Sequence, residues 1–260
     1  MPQVDNPAKR RLVQGGLAIG MGVRGLRGIE IARLMKTAGY DFLFIDLEHG
    51  ATSVETAYQI CVAALDAGIA PLVRVPNGEL ALGTRCLDAG ALGIVIPHVD
   101  TAEEARTLVD AFRFAPLGHR SIGGGYPHFG FAPVPAKEIV SELNDATLVV
   151  AMIETPRAVD NVEQIAAVAG IDVLLLGTND LCLEMGIPGQ LDNERVVAAI
   201  DKLLASCRKH GKWPGLGGVY GKELAKRYIA RGMRFVLAGN DISLLLNAAQ
   251  EQASFVRSCL

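Results

Sequence analysis

Ionisable or amide residues stand at or beside the ends of apolar runs in six places along this chain, and their types suit a site that moves protons and binds oxygen anions. Asp46, Glu48 and His49 close one run, and Arg74 sits inside Val73-Arg74-Val75-Pro76. His98 follows Pro97, Glu154 ends the run 148–153, Asn179 and Asp180 follow Thr178, and Asn240 and Asp241 follow the last run. A lone ionised carboxylate at the end of an apolar strand is costly to desolvate. A divalent cation between Glu154 and Asp180 would offset that cost, and hard oxygen ligands with open positions suit Mg2+ or Mn2+. The alternative is that each caps the following helix or pairs with an arginine. His49, within four residues of two carboxylates, has the surroundings of a general base, although an idle loop histidine gives the same sequence. The Arg74 guanidinium must find an anion, either a structural carboxylate or a substrate carboxylate or enolate. His98, His119, His128 and His210 carry weaker signals.

Such residues can act together only if the elements bring the run ends to one place. Eight short apolar runs, at 16–21, 41–46, 71–75, 93–97, 148–154, 173–177, 214–219 and 234–238, alternate with amphipathic stretches. Near-continuous apolar strands are those of a parallel sheet buried on both faces. Helix signals lie between them: Val54, Ala57, Cys61, Ala64 and Leu65 at helical spacing, Thr101 with Glu104 as a capping box, and Pro156 behind Thr155. Eight units close a (β/α)8 TIM barrel, whose active site lies at the carboxyl ends of its strands. With 260 residues, half of them apolar, one domain over 1–260 is expected. Two stretches depart from the rhythm. The segment 114–146, rich in glycine and proline, reads as an irregular loop, a lid or interface arm. The segment 242–260 carries Leu244, Leu245, Leu246, Ala249 and Phe255, more apolar positions than one barrel face needs, and reads as an interface helix.

The net charge of -3 is scattered, with no basic stripe for nucleic acid and no polybasic segment for a membrane surface. No uncharged apolar run approaches a membrane span, and 1–11 lacks the pattern of a secretory leader. The five cysteines are odd in number and lack CxxC spacing, which fits a reducing cytoplasm. The expected strand interiors contain no lysine, which counts against imine chemistry.

Six motifs, in order, resemble those of the HpcH/HpaI aldolase family, the class II pyruvate aldolases, with the citrate lyase β-subunit superfamily behind them. They are Phe44-Ile45-Asp46-Leu47-Glu48-His49-Gly50, Val73-Arg74-Val75-Pro76, Leu87-Asp88-Ala89-Gly90-Ala91, Met152-Ile153-Glu154-Thr155, Gly177-Thr178-Asn179-Asp180-Leu181 and Ala238-Gly239-Asn240-Asp241. The resemblance implies that Glu154 and Asp180 bind Mg2+ or Mn2+, with Co2+ also able to serve, that His49 accepts the proton and that Arg74 stabilises an enolate. It implies that Asp88 raises the basicity of His49 across a subunit interface, in a homo-oligomer of hexameric, trimer-of-dimers form. Met152 and Asn179 occupy substrate-contacting positions, and methionine replaces the family's glutamine amide. Gly118-His119-Arg120-Ser121 resembles a family loop that usually ends in glycine. The implied reaction is reversible retro-aldol cleavage of a 4-hydroxy-2-oxo acid to pyruvate, or a related 2-oxo acid, and an aldehyde through a metal-stabilised enolate. The same residues would serve a β-keto acid decarboxylase acting on oxaloacetate. A barrel that only binds a 2-oxo acid would have no use for a base beside a Lewis acid, and an acyl-CoA lyase would need a basic patch that the sequence does not display.

Overall fold

The computed structural model describes residues 4–260, so the first three positions of the expected domain lie outside the described residues. In chain order the elements are α1 (Pro7–Val13), β1 (Ala18–Val23), α2 (Glu30–Thr37), β2 (Phe42–Asp46), α3 (Val54–Ala67), β3 (Ala70–Arg74), α4 (Leu80–Asp88), β4 (Gly93–Ile96) and α5 (Ala102–Phe112). A 3-10 turn at Pro127–Phe129 follows, then α6 (Ala136–Ala146), β5 (Leu148–Ile153), α7 (Pro156–Asp160), α8 (Val162–Ala166), β6 (Val173–Gly177) and α9 (Thr178–Glu184). The chain ends with α10 (Glu194–His210), β7 (Trp213–Gly217), α11 (Lys222–Arg231), β8 (Phe235–Asn240) and α12 (Asp241–Arg257). Each strand pairs in parallel with its chain neighbours, and β1 pairs with β8, closing a (β/α)8 barrel.

All eight expected strands are present, and β6 has the expected limits. β1 lies two residues later than its sequence signal. The chain leaves α1 through Gly15 at φ 74°, and the Gly16 N–H still bonds to the Arg11 carbonyl, so both glycines belong to the helix exit. The stretch 114–146 is less irregular than its composition suggests. Its last eleven residues are α6, whose buried Ile139, Leu143 and Ala146 recur at helical spacing behind Pro133 and Pro135.

Strand alternation divides the apolar residues between two layers. Phe42 and Phe44, Leu72, Val150 and Met152, and Leu175 pack inside the barrel. Leu43, Ile45, Val73, Ala151 and Ile153 face the helices. Phe42 stacks on Phe235 with ring centroids 4.2 Å apart, and a side chain at Gly20 would collide with the Phe42 ring. The same period of two carries the inner face of β2 up to Asp46, of β3 to Arg74 and of β5 through Met152 to Glu154, so the pleat that fills the core also aims the polar residues.

The amino-terminal end is closed by α1. Asn6 caps it through the Lys9 N–H, 3.1 Å, and donates its amide to the Leu92 and Ala146 carbonyls at 3.0 and 2.7 Å. Lys212, just ahead of β7, donates to the Val168 and Ile171 carbonyls at that same end. It therefore lies across the barrel from the strand-end carboxylates. No helix among the described residues is long and apolar enough to cross a membrane.

Candidate active site

The carboxyl ends of β1, β2, β3, β5 and β6 bring together Arg24, Asp46, Glu48, His49, Arg74, Met152, Glu154 and Asp180. Asp46 is the hub. Register places it beside Arg74 on the neighbouring strand. Its Oδ1 accepts Arg74 Nε at 3.0 Å and the Glu48 and His49 backbone N–H groups at 3.1 Å each. Its Oδ2 accepts Arg74 Nη2 at 2.6 Å and Arg24 Nε at 2.9 Å. Burial alone would raise the Asp46 pKa, but the Arg74 hydrogen bond and charge, the His49 N–H and the Arg24 charge outweigh it and hold the carboxyl below its ordinary value.

Arg74 is 4% exposed at its side chain and lies over the Phe44 ring at 5.3 Å. Burial pulls its pKa down, and the hydrogen bond and charge of Asp46, followed by the charges of Glu48 and Glu154, more than reverse this. Glu48 Oε2 lies 2.8 Å from Arg74 Nη1 and 3.7 Å from His49 Nε2. The first contact is an ion pair outside hydrogen-bond angles, since Oε2 lacks a hydrogen-bond partner. The carboxylate thus stands between the buried cation and the imidazole. His49 is more than half exposed at the barrel mouth.

Glu154 is 1% exposed. Its Oε1 accepts the His98 N–H at 2.7 Å, with His98 Nδ1 at 3.5 Å. His98 adopts a left-handed φ of 51°, a backbone region that costs a side chain of this type about 1–3 kcal/mol, and in that turn its N–H meets the carboxylate. Glu154 Oε2 is buried with no hydrogen-bond partner. A Cβ at Gly177 would come within 2.3 Å of it, so glycine is required beneath it. Desolvation raises the Glu154 pKa to about 7; the His98 N–H and charge oppose this, the Asp180 charge reinforces it and Arg74 opposes it. Asp180 is half-buried in the first turn of α9, so two carboxylates face each other electrostatically with one oxygen unsatisfied. That arrangement fits a divalent cation. Among the described residues no three His, Cys, Asp or Glu side chains converge on a metal position, which leaves further coordination sites to water or ligand oxygens. The alternative role of helix cap falls to Thr155, whose side chain accepts the Ala158 N–H at the start of α7.

Met152, two residues before Glu154 on the inner face, is buried, with Sδ 4.0 Å from Arg74 Nη1. Asn179 is exposed, and its amide overlies the Gly218 turn, where a Cβ would come within 3.0 Å of Nδ2. Asp88 is not part of this constellation. It ends α4, at the opposite rim of the barrel, and accepts Arg120 Nη2 at 2.7 Å. Arg24 had no role in the sequence reading: with β1 placed two residues early, it fell inside a loop. The signal it carries is the one that marked the others, a charge directly after an apolar strand.

A parallel barrel whose strand ends carry a buried and a half-buried carboxylate, a fixed arginine and an exposed histidine has the parts of an enzyme that stabilises an oxyanion and moves a proton. The chain belongs to the HpcH/HpaI aldolase/citrate lyase family, whose model matches residues 27–248. It is 41% identical to the 4-hydroxy-4-methyl-2-oxoglutarate aldolase of Chaetomium globosum, over 96% of this chain and 95% of that one. It is 39% identical to the enzyme of the same name from Hapsidospora irregularis, over 99% and 97%. Among solved structures, an HpcH/HpaI aldolase from Desulfitobacterium hafniense superposes with a TM-score of 0.90 at 30% identity, covering 96% of each chain. The protein is an aldolase, a carbon–carbon lyase.

Proposed function

We propose that the chain cleaves a 4-hydroxy-2-oxo acid reversibly to pyruvate, or a related 2-oxo acid, and a carbonyl partner, with Mg2+ or Mn2+ held by Glu154 and Asp180. The observation that carries this reading is the unsatisfied Glu154 Oε2, buried beside a second carboxylate and within the electrostatic reach of Arg74. When bound, the cation supplies Lewis acidity toward the oxygens of the 2-oxo acid. Arg74 directs two of its five N–H groups at Asp46 and has Glu48 as an ion-pair partner, and its free Nη N–H groups receive the oxyanion that develops as the C3–C4 bond breaks. Its position is fixed before substrate arrives, so little reorganisation accompanies the charge development. His49 removes the proton from the C4 hydroxyl in cleavage, or from the C3 methyl in synthesis. Glu48, 3.7 Å from Nε2, stabilises the imidazolium so formed. Met152 gives the 2-oxo acid an apolar wall where an amide would donate a hydrogen bond.

Asp88 ends α4 at the rim of the barrel opposite its own His49, and in this reading it acts on the histidine of a neighbouring copy. The homo-oligomer this needs, a hexamer in our reading, is supported by α12, which exposes Ile242, Leu245, Phe255 and Val256. A cytoplasmic location accords with the buried, unpaired Cys61, Cys86, Cys182 and Cys207. The test is pyruvate release, followed with lactate dehydrogenase, from a panel of 4-hydroxy-2-oxo acids, with oxaloacetate decarboxylation measured in parallel. Cleavage of at least one panel member faster than oxaloacetate is expected; turnover of oxaloacetate alone would make the protein a decarboxylase.

A further inference from the structure

Arg24 is a half-used cation at the mouth of the site. Its Nε is fixed by Asp46 Oδ2 at 2.9 Å, the same oxygen that accepts Arg74 Nη2. Its side chain is 39% exposed where that of Arg74 is 4%, and its two Nη groups have no hydrogen-bond or ion-pair partner among the described residues. The backbone beneath it is anchored. The buried Asp241 carboxylate accepts the N–H groups of Arg24, Gly25 and Leu26 at 2.7 to 3.2 Å. A Cβ at Gly25 would strike Ile242, and a Cβ at Gly50 would come within 3.3 Å of the Arg24 carbonyl, so Arg24 packs directly against the turn that follows His49. A loop held this firmly, with a guanidinium tethered at Nε and its fork left open, is built to present that fork. The carboxylates nearby are already engaged: Asp46 by two arginines, Glu48 by Arg74.

We propose that Arg24 receives a second carboxylate, at the end of the substrate remote from the 2-oxo group, so that the enzyme prefers 4-hydroxy-2-oxo dicarboxylates to substrates with a neutral tail. This rests on the aldolase reading, in which the 2-oxo acid end sits by Glu154, Asp180 and Arg74. The remote carboxylate then meets Arg24 in the planar, two-pronged geometry that a guanidinium offers and an ammonium does not. Of the two cleavage products, the carbonyl partner carries that carboxylate away.

The test compares wild type, Arg24→Gln and Arg24→Lys on two matched substrates, 4-hydroxy-2-oxoglutarate and 4-hydroxy-2-oxopentanoate, reading the ratio of their kcat/KM values. Calorimetry with Mg2+-loaded protein compares 2-oxoglutarate with 2-oxobutyrate as uncleaved probes. Wild type should favour the dicarboxylate in both measurements. Arg24→Gln should lower the preference by about 30-fold, the loss of one charge-assisted contact, through KM more than kcat, and Arg24→Lys should fall between. If both substrates decline in parallel, Arg24 only supports Asp46 and the proposal is overturned while the aldolase reading stands. If wild type neither binds a probe nor cleaves either substrate, the aldolase reading fails and this proposal falls with it.

Discussion

Asp46 and Arg74 are register partners on adjacent parallel strands, and the carboxylate grips the guanidinium through two hydrogen bonds, Nε to Oδ1 at 3.0 Å and Nη2 to Oδ2 at 2.6 Å. Two parallel N–H···O bonds fix the plane of the guanidinium as well as its position. An ammonium at this place would keep the charge and lose the plane. Arg74→Lys should therefore lower kcat by about 100-fold or more, the scale of losing one oxyanion donor, while circular dichroism and melting temperature stay close to wild type. A variant with near-wild-type turnover would make Arg74 a structural ion pair only.

The barrel was legible in the sequence because each of its strands is a run of apolar residues bounded by helix signals, and closure follows from the number of units. Glu154, Asp180, His49 and Arg74 were legible because polar residues are conspicuous at the ends of such runs. The hub role of Asp46 was not, since it depends on which strand lies beside which and at what register. Arg24 was missed for a local reason: two glycines at the exit of α1 made the apolar signal of β1 seem to start early. Within 114–146, the prolines ahead of α6 obscured an ordinary amphipathic helix.

His128 gives the fold a pH dependence of its own. Burial pushes its pKa down to about 4; its bond to the Ala91 carbonyl and the Asp88 charge oppose this, while the Arg120 charge adds to it. Below the ordinary histidine pKa the unfolded chain binds a proton that the folded chain refuses, so stability falls as pH drops from about 6.5 toward 4. Denaturant titrations should register a loss on the order of 2–3 kcal/mol from this group, and His128→Gln should flatten that part of the profile. An identical acid limb in the variant would assign the loss to other groups.

Asp88→Asn should leave the fold and metal affinity intact, yet reduce activity by about tenfold or more and shift the pH dependence of kcat, if it orients the histidine of a neighbouring copy. Its bond from Arg120 survives in part, because an asparagine oxygen still accepts. Light scattering supplies the companion measurement. A fully active monomer, or an unaltered pH profile in the variant, would remove Asp88 from the mechanism.

Glu154→Gln should abolish measurable Mg2+ or Mn2+ binding by calorimetry while the metal-free variant, relieved of a buried carboxylate with an unsatisfied oxygen, is at least as stable as metal-free wild type at pH 8. Undiminished metal affinity would place the cation elsewhere.

The central claim, that this barrel breaks a carbon–carbon bond with a metal held at Glu154 and Asp180, is tested most directly by one assay: pyruvate release from 4-hydroxy-2-oxoglutarate before chelation, after exhaustive chelation, and after Mg2+ or Mn2+ is returned. Activity should be lost on chelation and restored by the metal, with Glu154→Gln inactive throughout. Undiminished pyruvate release from the fully chelated enzyme would contradict the account.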